Sequence, residues 1–295
     1  MIKFLIVILL IFCSCNDKNE SRNSESPKTV SVTNFPMYWA VKSVAGDSIN
    51  IHFPVPGDID PAYWQPGENH ILEMQKSDLI LLSGATYEKW LKGASLPAGK
   101  TTDTSSDAKS VFIKLEDGVE HEHNGVKHKH DGTDFNVWLD SYIYSLQAQA
   151  VTDALVKLNP DKKELYQSNL SSFKKRLKEI FINLNNITKS NKSFLASHPV
   201  YNYLAKANGW KVQNFHWEPE EMPSEEEWEK LKKALSFSKY MLWEDTPSKE
   251  IADRLEKEGV KIIVFRPCGN RPPSGDFFSE MVQNIENLKT VLEAK

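Results

Sequence analysis

Four of the chain's eight histidines fall within ten residues, His121-Glu-His123-Asn-Gly-Val-Lys-His128-Lys-His130, between Gly118 and Gly132. Neutral imidazole is a good ligand for zinc, copper and nickel. In an extended chain, residues two apart share a face, so each His-x-His pair aims both rings at one ion. A merely solvated loop rich in Glu, Lys and Gly needs no histidine to stay soluble. The interior position and the interrupting residues argue against an affinity tag. Residues 117–133 therefore read as an accessory metal loop that holds zinc weakly through His121, His123, His128 and His130.

The N-terminus fixes the compartment. Met1-Ile-Lys3 is a short basic start and Phe4 to Phe12 an apolar run too short to span a bilayer. Ser14 is a small residue immediately before Cys15. This resembles a bacterial lipoprotein signal: residues 1–14 are cleaved, Cys15 is acylated (palmitate among the acyl groups), and residues 15–28, rich in Ser, Asn and charge, form a disordered tether. The mature protein is then held at the outer face of the cytoplasmic membrane, in the periplasm or at the outer membrane. An ordinary secretory signal is the alternative.

Three cysteines are present. Removal of Cys13 and lipidation of Cys15 leave Cys268 alone, so an oxidising compartment forms no internal disulfide and stability rests on the core. About 265 residues follow the tether, enough for two lobes. The formal net charge of -4, with mixed signs, gives no footprint for nucleic acid. The mature chain is expected to be a monomer.

Short apolar, β-branched runs alternate with helical patterns. Thr29–Thr33, Asp78–Leu82, Ser193–Ala196, Tyr240–Trp243 and Val260–Phe265 read as strands, each close to a helical segment, which predicts parallel α/β layers. Ser224-x-x-Glu227 is a capping box, and Pro247-Ser-Lys to Gly259 has a proline start and a glycine stop. Two long helices are expected, from Val137 to Leu158 and from Asp161 to about Asn186, divided by Asn159-Pro160. The fold class is thus α/β: two parallel-sheet lobes, 29–158 and 189–295, joined by a long rigid backbone helix within 159–188, with a ligand cleft between them.

Six segments occur in a telling order. They are Pro54-Val-Pro-Gly-Asp-Ile-Asp-Pro-Ala-Tyr-Trp-Gln-Pro66, Ser77-Asp-Leu-Ile-Leu-Leu-Ser-Gly84, the histidine loop, Val137-Trp-Leu-Asp140, Ser197-His-Pro-Val-Tyr-x-Tyr-Leu204 and Val264-Phe-Arg-Pro267. From about Thr29 onward the chain resembles the zinc and manganese solute-binding lipoproteins of bacterial ABC importers. The resemblance implies a two-lobed receptor, a transported metal rather than a resident cofactor, and a permease partner in the cytoplasmic membrane.

The resemblance also implies a ligand set, and this chain departs from it. The family's ligand positions hold Ala62, Asn136, His198 and Arg266, so only His198 keeps a ligating side chain. Alanine has no donor, an amide oxygen is weak, and a guanidinium has no lone pair. A unit charge 4 Å from a guanidinium costs about 4 kcal/mol at an effective dielectric near 20, and a divalent ion about twice that. Arg266 is therefore expected to turn onto an acidic neighbour, Glu244 or Asp245. Replacement ligands stand where strands are expected to end: His216 and Glu218, Glu244, and Cys268. In open α/β sheets ligands gather at the carboxyl ends of strands, so these groups could converge beside His198 on zinc or another transition metal. Alternatively His198 caps a helix begun by Pro199, His216 is a surface residue and Cys268 a small buried hydrophobe.

The leading functional reading is a lipid-anchored receptor that captures a transition metal, zinc foremost, for a permease. Loss of the usual ligands keeps open a surface lipoprotein that uses the scaffold for cell adhesion or a non-metal ligand. A hydrolytic metalloenzyme would need an open metal position beside a general base, and no His-Glu-x-x-His is present, so no catalytic residue is assigned.

Overall fold

The computed structural model describes residues 26–115, 120–123, 126–129, 132–188 and 192–293. Cys15, the signal and tether up to residue 25, and His130 lie outside the described residues. The strands of the first half are β1 (Lys28–Val32), β2 (Ile49–His52), β3 (Leu79–Leu82) and β4 (Thr101–Asp103), in a parallel sheet of order β2-β1-β3-β4. Around it run α1 (Phe35–Ala45) and α2 (Glu68–Lys76). Next come β5 (Lys114–Leu115), β6 (Glu120–His123), β7 (Val126–Lys129) and β8 (Gly132–Thr133), forming two small antiparallel ladders, β5 with β8 and β6 with β7. Within the histidine loop, β6 and β7 pair antiparallel with His121 opposite His128.

The long helices are α3 (Ser141–Leu158) and α4 (Lys163–Thr188). The pattern expected to be helical from Val137 starts as a 3-10 turn, and α3 proper begins after Asp140, whose carboxylate caps Tyr142 and Ile143. Pro160 likewise opens a 3-10 turn before α4, consistent with its fixed φ and missing N–H. At 26 residues α4 is about 39 Å long. It packs on α1, α3 and a C-terminal helix, α8 (Phe277–Glu293).

The second half holds β9 (Ser193–Ala196), α5 (Asn202–Asn208), β10 (Lys211–Asn214), α6 (Glu225–Ala234), β11 (Tyr240–Trp243), α7 (Lys249–Lys257), β12 (Lys261–Val264) and α8 (Phe277–Glu293). Its sheet is also parallel, in the order β10-β9-β11-β12. The two sheets repeat one arrangement, and each has its first strand beside its third. Ser224 and Glu227 form the expected reciprocal cap of α6, and Gly259, at φ 79°, follows the end of α7. Among the described residues no helix is long and apolar enough to cross a membrane.

One hydrophobic cluster extends through both halves, from Val30 and Leu81 through Tyr144, Phe173 and Leu177 to Phe194, Phe265 and Phe277. The helices α1, α3, α4 and α8 supply its spine, so both sheets are bedded on one helical layer. The Trp138 indole also donates to the Pro267 carbonyl at 2.7 Å, joining the halves directly beneath the cleft.

Candidate metal centre

Three side chains that the sequence scattered over nearly fifty residues meet at the top of the second sheet. His198 follows β9, Glu218 follows β10 and Glu244 follows β11, all at carboxyl ends of parallel strands, where backbone ladders stop and side chains point into the cleft. The β9–β10 ladder is prolonged past the strand ends: the Phe215 N–H donates to Ala196 O and the Trp217 N–H to Ser197 O, each at 2.8 Å. That extension carries Glu218 alongside His198. Beneath, Trp217 packs on Trp228 (4.9 Å between centroids) and Trp243 (6.3 Å), and all three rings are buried. The support is therefore stiff.

His198 Nδ1 lies 3.5 Å from Glu218 Oε1 and 3.9 Å from Glu244 Oε1. One donor atom from each of the three falls within 4.8 Å of the others, the only such group of His, Cys, Asp and Glu among the described residues. Metal–ligand bonds of 2.0–2.2 Å in a tetrahedron put ligand atoms about 3.3–3.6 Å apart. The His198–Glu218 edge already has that length, and the others need a contraction within the reach of side-chain rotation.

The electrostatics favour a cation. Burial pushes the Glu244 carboxyl well above the usual range, and the charges of Glu218, Asp60 and Asp245 push it further. A divalent ion removes both causes by supplying the missing opposite charge. Tyr63 leans on the same group: its phenol is raised by burial first, then by Asp60, Glu244 and Glu218. Asp60 and Tyr63 reach the cleft from the first half, and Asp60 Oδ1 accepts the Ala62 N–H at 2.9 Å. Sequence reasoning noted both only as part of a motif; the signal available was their place beside Ala62.

The other expected residues fall as follows. His216 is half-buried with its ring edge-on to His198, 5.6 Å between centroids, and it stands outside the three-donor group. Cys268 borders the cleft, is buried and stands outside the three-donor group; burial followed by Glu280 pushes its thiol far up. Ala62 is buried and offers no donor. Asn136 gives both its backbone and amide N–H groups to Asp134 Oδ1, at 2.9 and 3.2 Å. Arg266 pairs with Asp245 (2.6 Å) and Glu280 (3.3 Å). His198 does not cap a helix, since α5 begins only at Asn202 with Tyr201 as its cap.

The cleft has a volume of about 820 Å³ and takes its walls from both halves, including Asp60, Tyr63 and Trp138 opposite His198, Glu218 and Glu244. Lys89 Nζ sits 3.9 Å over the Tyr63 ring. Beside it a second hollow of about 750 Å³ is lined by Lys114, Leu115, Phe135, Asn136 and His216, among others. The hollows share Phe135 and Asn136 as a wall.

This architecture has known counterparts. Over 98% of its length the chain is 29% identical to the high-affinity zinc uptake system protein ZnuA of Bacillus subtilis, covering 95% of that protein. It is 24% identical over 97% of its length to the zinc-binding lipoprotein AdcA of Streptococcus pneumoniae, of which it spans 59%. Among solved structures, the metal-dependent lipoprotein YcdH of Bacillus subtilis superposes with a TM-score of 0.74 at 24% identity, covering 90% of this chain and 98% of that one. The periplasmic zinc-binding protein TroA of Treponema pallidum gives 0.70 at 18% identity, covering 92% and 100%. These likenesses carry the fold, and the family model described as zinc-uptake complex component A, periplasmic, matches residues 30–291: the chain belongs to that family.

Proposed function

We propose that this protein is the extracytoplasmic receptor of a metal ABC importer: it captures a divalent transition metal, zinc foremost, in the interlobe cleft and delivers it to a membrane permease. It performs no chemistry on the ion and is not an enzyme. The observation that carries this reading is the convergence of His198, Glu218 and Glu244 within 4.8 Å at the strand ends. The names of its relatives, a zinc uptake protein and a zinc-binding lipoprotein, agree with it. Acylation of Cys15 would tether the receptor to the bilayer as a monomer near its permease.

The site differs in kind from a soft, thiolate-bearing one. One imidazole and two carboxylates make a borderline-to-hard set, and Cys268 lies outside this group. Selectivity for zinc then rests on geometry and on any further imidazole. The test is a zinc titration against a chromophoric chelator. His198→Ala is expected to weaken the tight site at least tenfold, about 1.4 kcal/mol. An unchanged affinity would remove the cleft from the account.

A further inference from the structure

We infer that the phenolic oxygen of Tyr63 is the ligand that the first half of the chain supplies to the ion held by His198, Glu218 and Glu244. The inference rests on the cleft being the metal site and names the group that closes it from the opposite wall.

The turn that presents Tyr63 is organised by Asp60. The Asp60 carbonyl accepts the N–H groups of both Tyr63 and Trp64, each at 3.0 Å, and its Oδ1 accepts the Ala62 N–H at 2.9 Å. Pro61 adds a fixed φ within the turn. Trp64 pins the far side: it is buried, edge-on to His70 at 5.2 Å and to Trp90 at 6.4 Å between centroids. Ala62 is buried too. Tyr63, between these two anchored neighbours, is half-buried and lines the cleft. Asp60 spends its carbonyl and Oδ1 on holding the turn, so the side chain that the turn delivers is the phenol.

The ring is fixed in its aim. Phe135, itself a cleft residue, meets it edge-on with centroids 6.4 Å apart, and Lys89 Nζ lies 3.9 Å from its centroid. In that pose the phenol faces charges from the opposite wall: after burial and Asp60, the carboxylates of Glu244 and Glu218 both push it up. Two of the three grouped donors are therefore its electrostatic neighbours. A divalent ion between them reverses the sign, because it compensates both carboxylates and adds positive charge of its own, and bound metals deprotonate ligand groups in this way. The Lys89 ammonium works in the same direction, since a cation over a ring face favours electron density in the ring. On ligation the oxygen–metal bond forms, the phenol proton leaves to solvent, and no electron is transferred.

The donor count agrees. Tetrahedral zinc takes four ligands, and the strand ends of the second half provide three. On the first half's wall Ala62 has no donor and the Asn136 amide is engaged with Asp134. Tyr63 makes the fourth, giving one nitrogen and three oxygens, and the ion then bridges the two walls of the cleft. The added oxygen hardens the set further.

The test uses the mature protein with zinc as the probe and compares the unaltered chain with Tyr63→Phe and His198→Ala. Phenylalanine keeps the ring against Phe135 and under Lys89, so the metal-free melting temperature should hold. The expected result is a loss of at least tenfold in the tight site of Tyr63→Phe. One equivalent of zinc should raise the ultraviolet difference band of a metal-bound tyrosinate in the unaltered protein and not in this variant. Calorimetry in two buffers of different ionisation enthalpy should count one proton fewer released per zinc by Tyr63→Phe. Unchanged affinity and proton count in Tyr63→Phe, with His198→Ala weakened, overturn the inference and leave the cleft site standing. Weaker binding by Tyr63→Phe with no tyrosinate band in the unaltered protein also overturns it, because the hydroxyl then only hydrogen-bonds a neighbour. If neither substitution changes tight binding, the cleft reading fails as well.

Discussion

Arg266 Nη2 lies 2.6 Å from Asp245 Oδ1, so a permanent cation bordering the cleft is neutralised by the carboxylate next to Glu244. Its other nitrogen reaches Glu280, which is buried. The guanidinium therefore does two jobs: it lets Glu280 stay inside, and it withholds Asp245 from the ion.

Arg266→Ala should separate these effects. Leaving Glu280 buried without its partner costs about 1–3 kcal/mol, seen as a lower melting temperature. Zinc should bind severalfold tighter, because a positive charge leaves the cleft and Asp245 is released. An unchanged zinc affinity would mean that Asp245 and Glu280 already cancel the charge as felt by the ion.

Glu244→Gln should move stability and binding in opposite directions. Burial and the neighbouring carboxylates disfavour the ionised Glu244 of the metal-free protein, so the neutral amide raises its melting temperature. The same change removes a ligand and weakens zinc at least tenfold. Calorimetry with and without zinc reads both signs, and a variant destabilised in both states would contradict the account.

A pH effect comes from Glu88, which is not among the three grouped donors. It is fully buried, its carboxyl is pushed up to about 7 by burial, and donors from Thr33, Ser83 and Gly84 only partly offset this. Its folded pKa exceeds the unfolded one, so the native state holds the proton more tightly. Stability from this group is complete below about pH 4.5 and is lost as pH rises through about 7. Asp134, raised to about 6 for the same reason, adds a slope of the same sign. Melting temperatures over pH 5–8 should fall less steeply in Glu88→Gln than in the unaltered protein; equal slopes would show that Glu88 keeps an ordinary pKa.

Cys15→Ser should release the exported protein into the soluble fraction, since nine apolar residues do not make a stable membrane span. Fractionation of cells expressing the variant decides this, and retention in the membrane would contradict acylation.

Much of the fold was legible because its signals are local. Apolar runs such as Leu79–Leu82 and Tyr240–Trp243, the Ser224 capping box and Asn159-Pro160 mark strands, a helix start and a break with near-neighbour physics alone. β2 and β4 were not marked: Ile49–His52 alternates over only four residues and Thr101–Asp103 has no apolar residue, and both are strands because edge pairing to β1 and β3 makes them so. The site divides similarly. His198 could be named from the family resemblance, and Glu218 and Glu244 because strand ends collect ligands in this class of sheet, a rule that named His216 and Cys268 equally. That Cys268 takes φ 59° and is buried at the cleft wall was not readable from its neighbours in the sequence. That Glu280 is Arg266's second partner depends on α8 docking beside β12, a contact of distant segments that no local pattern encodes.

The most direct measurement is anomalous diffraction at the zinc edge from crystals of the mature protein carrying one equivalent of zinc. The account predicts a single strong peak within bonding distance of His198 Nδ1 and of a carboxylate oxygen from each of Glu218 and Glu244. A peak away from these three residues, or none at one equivalent, would contradict it.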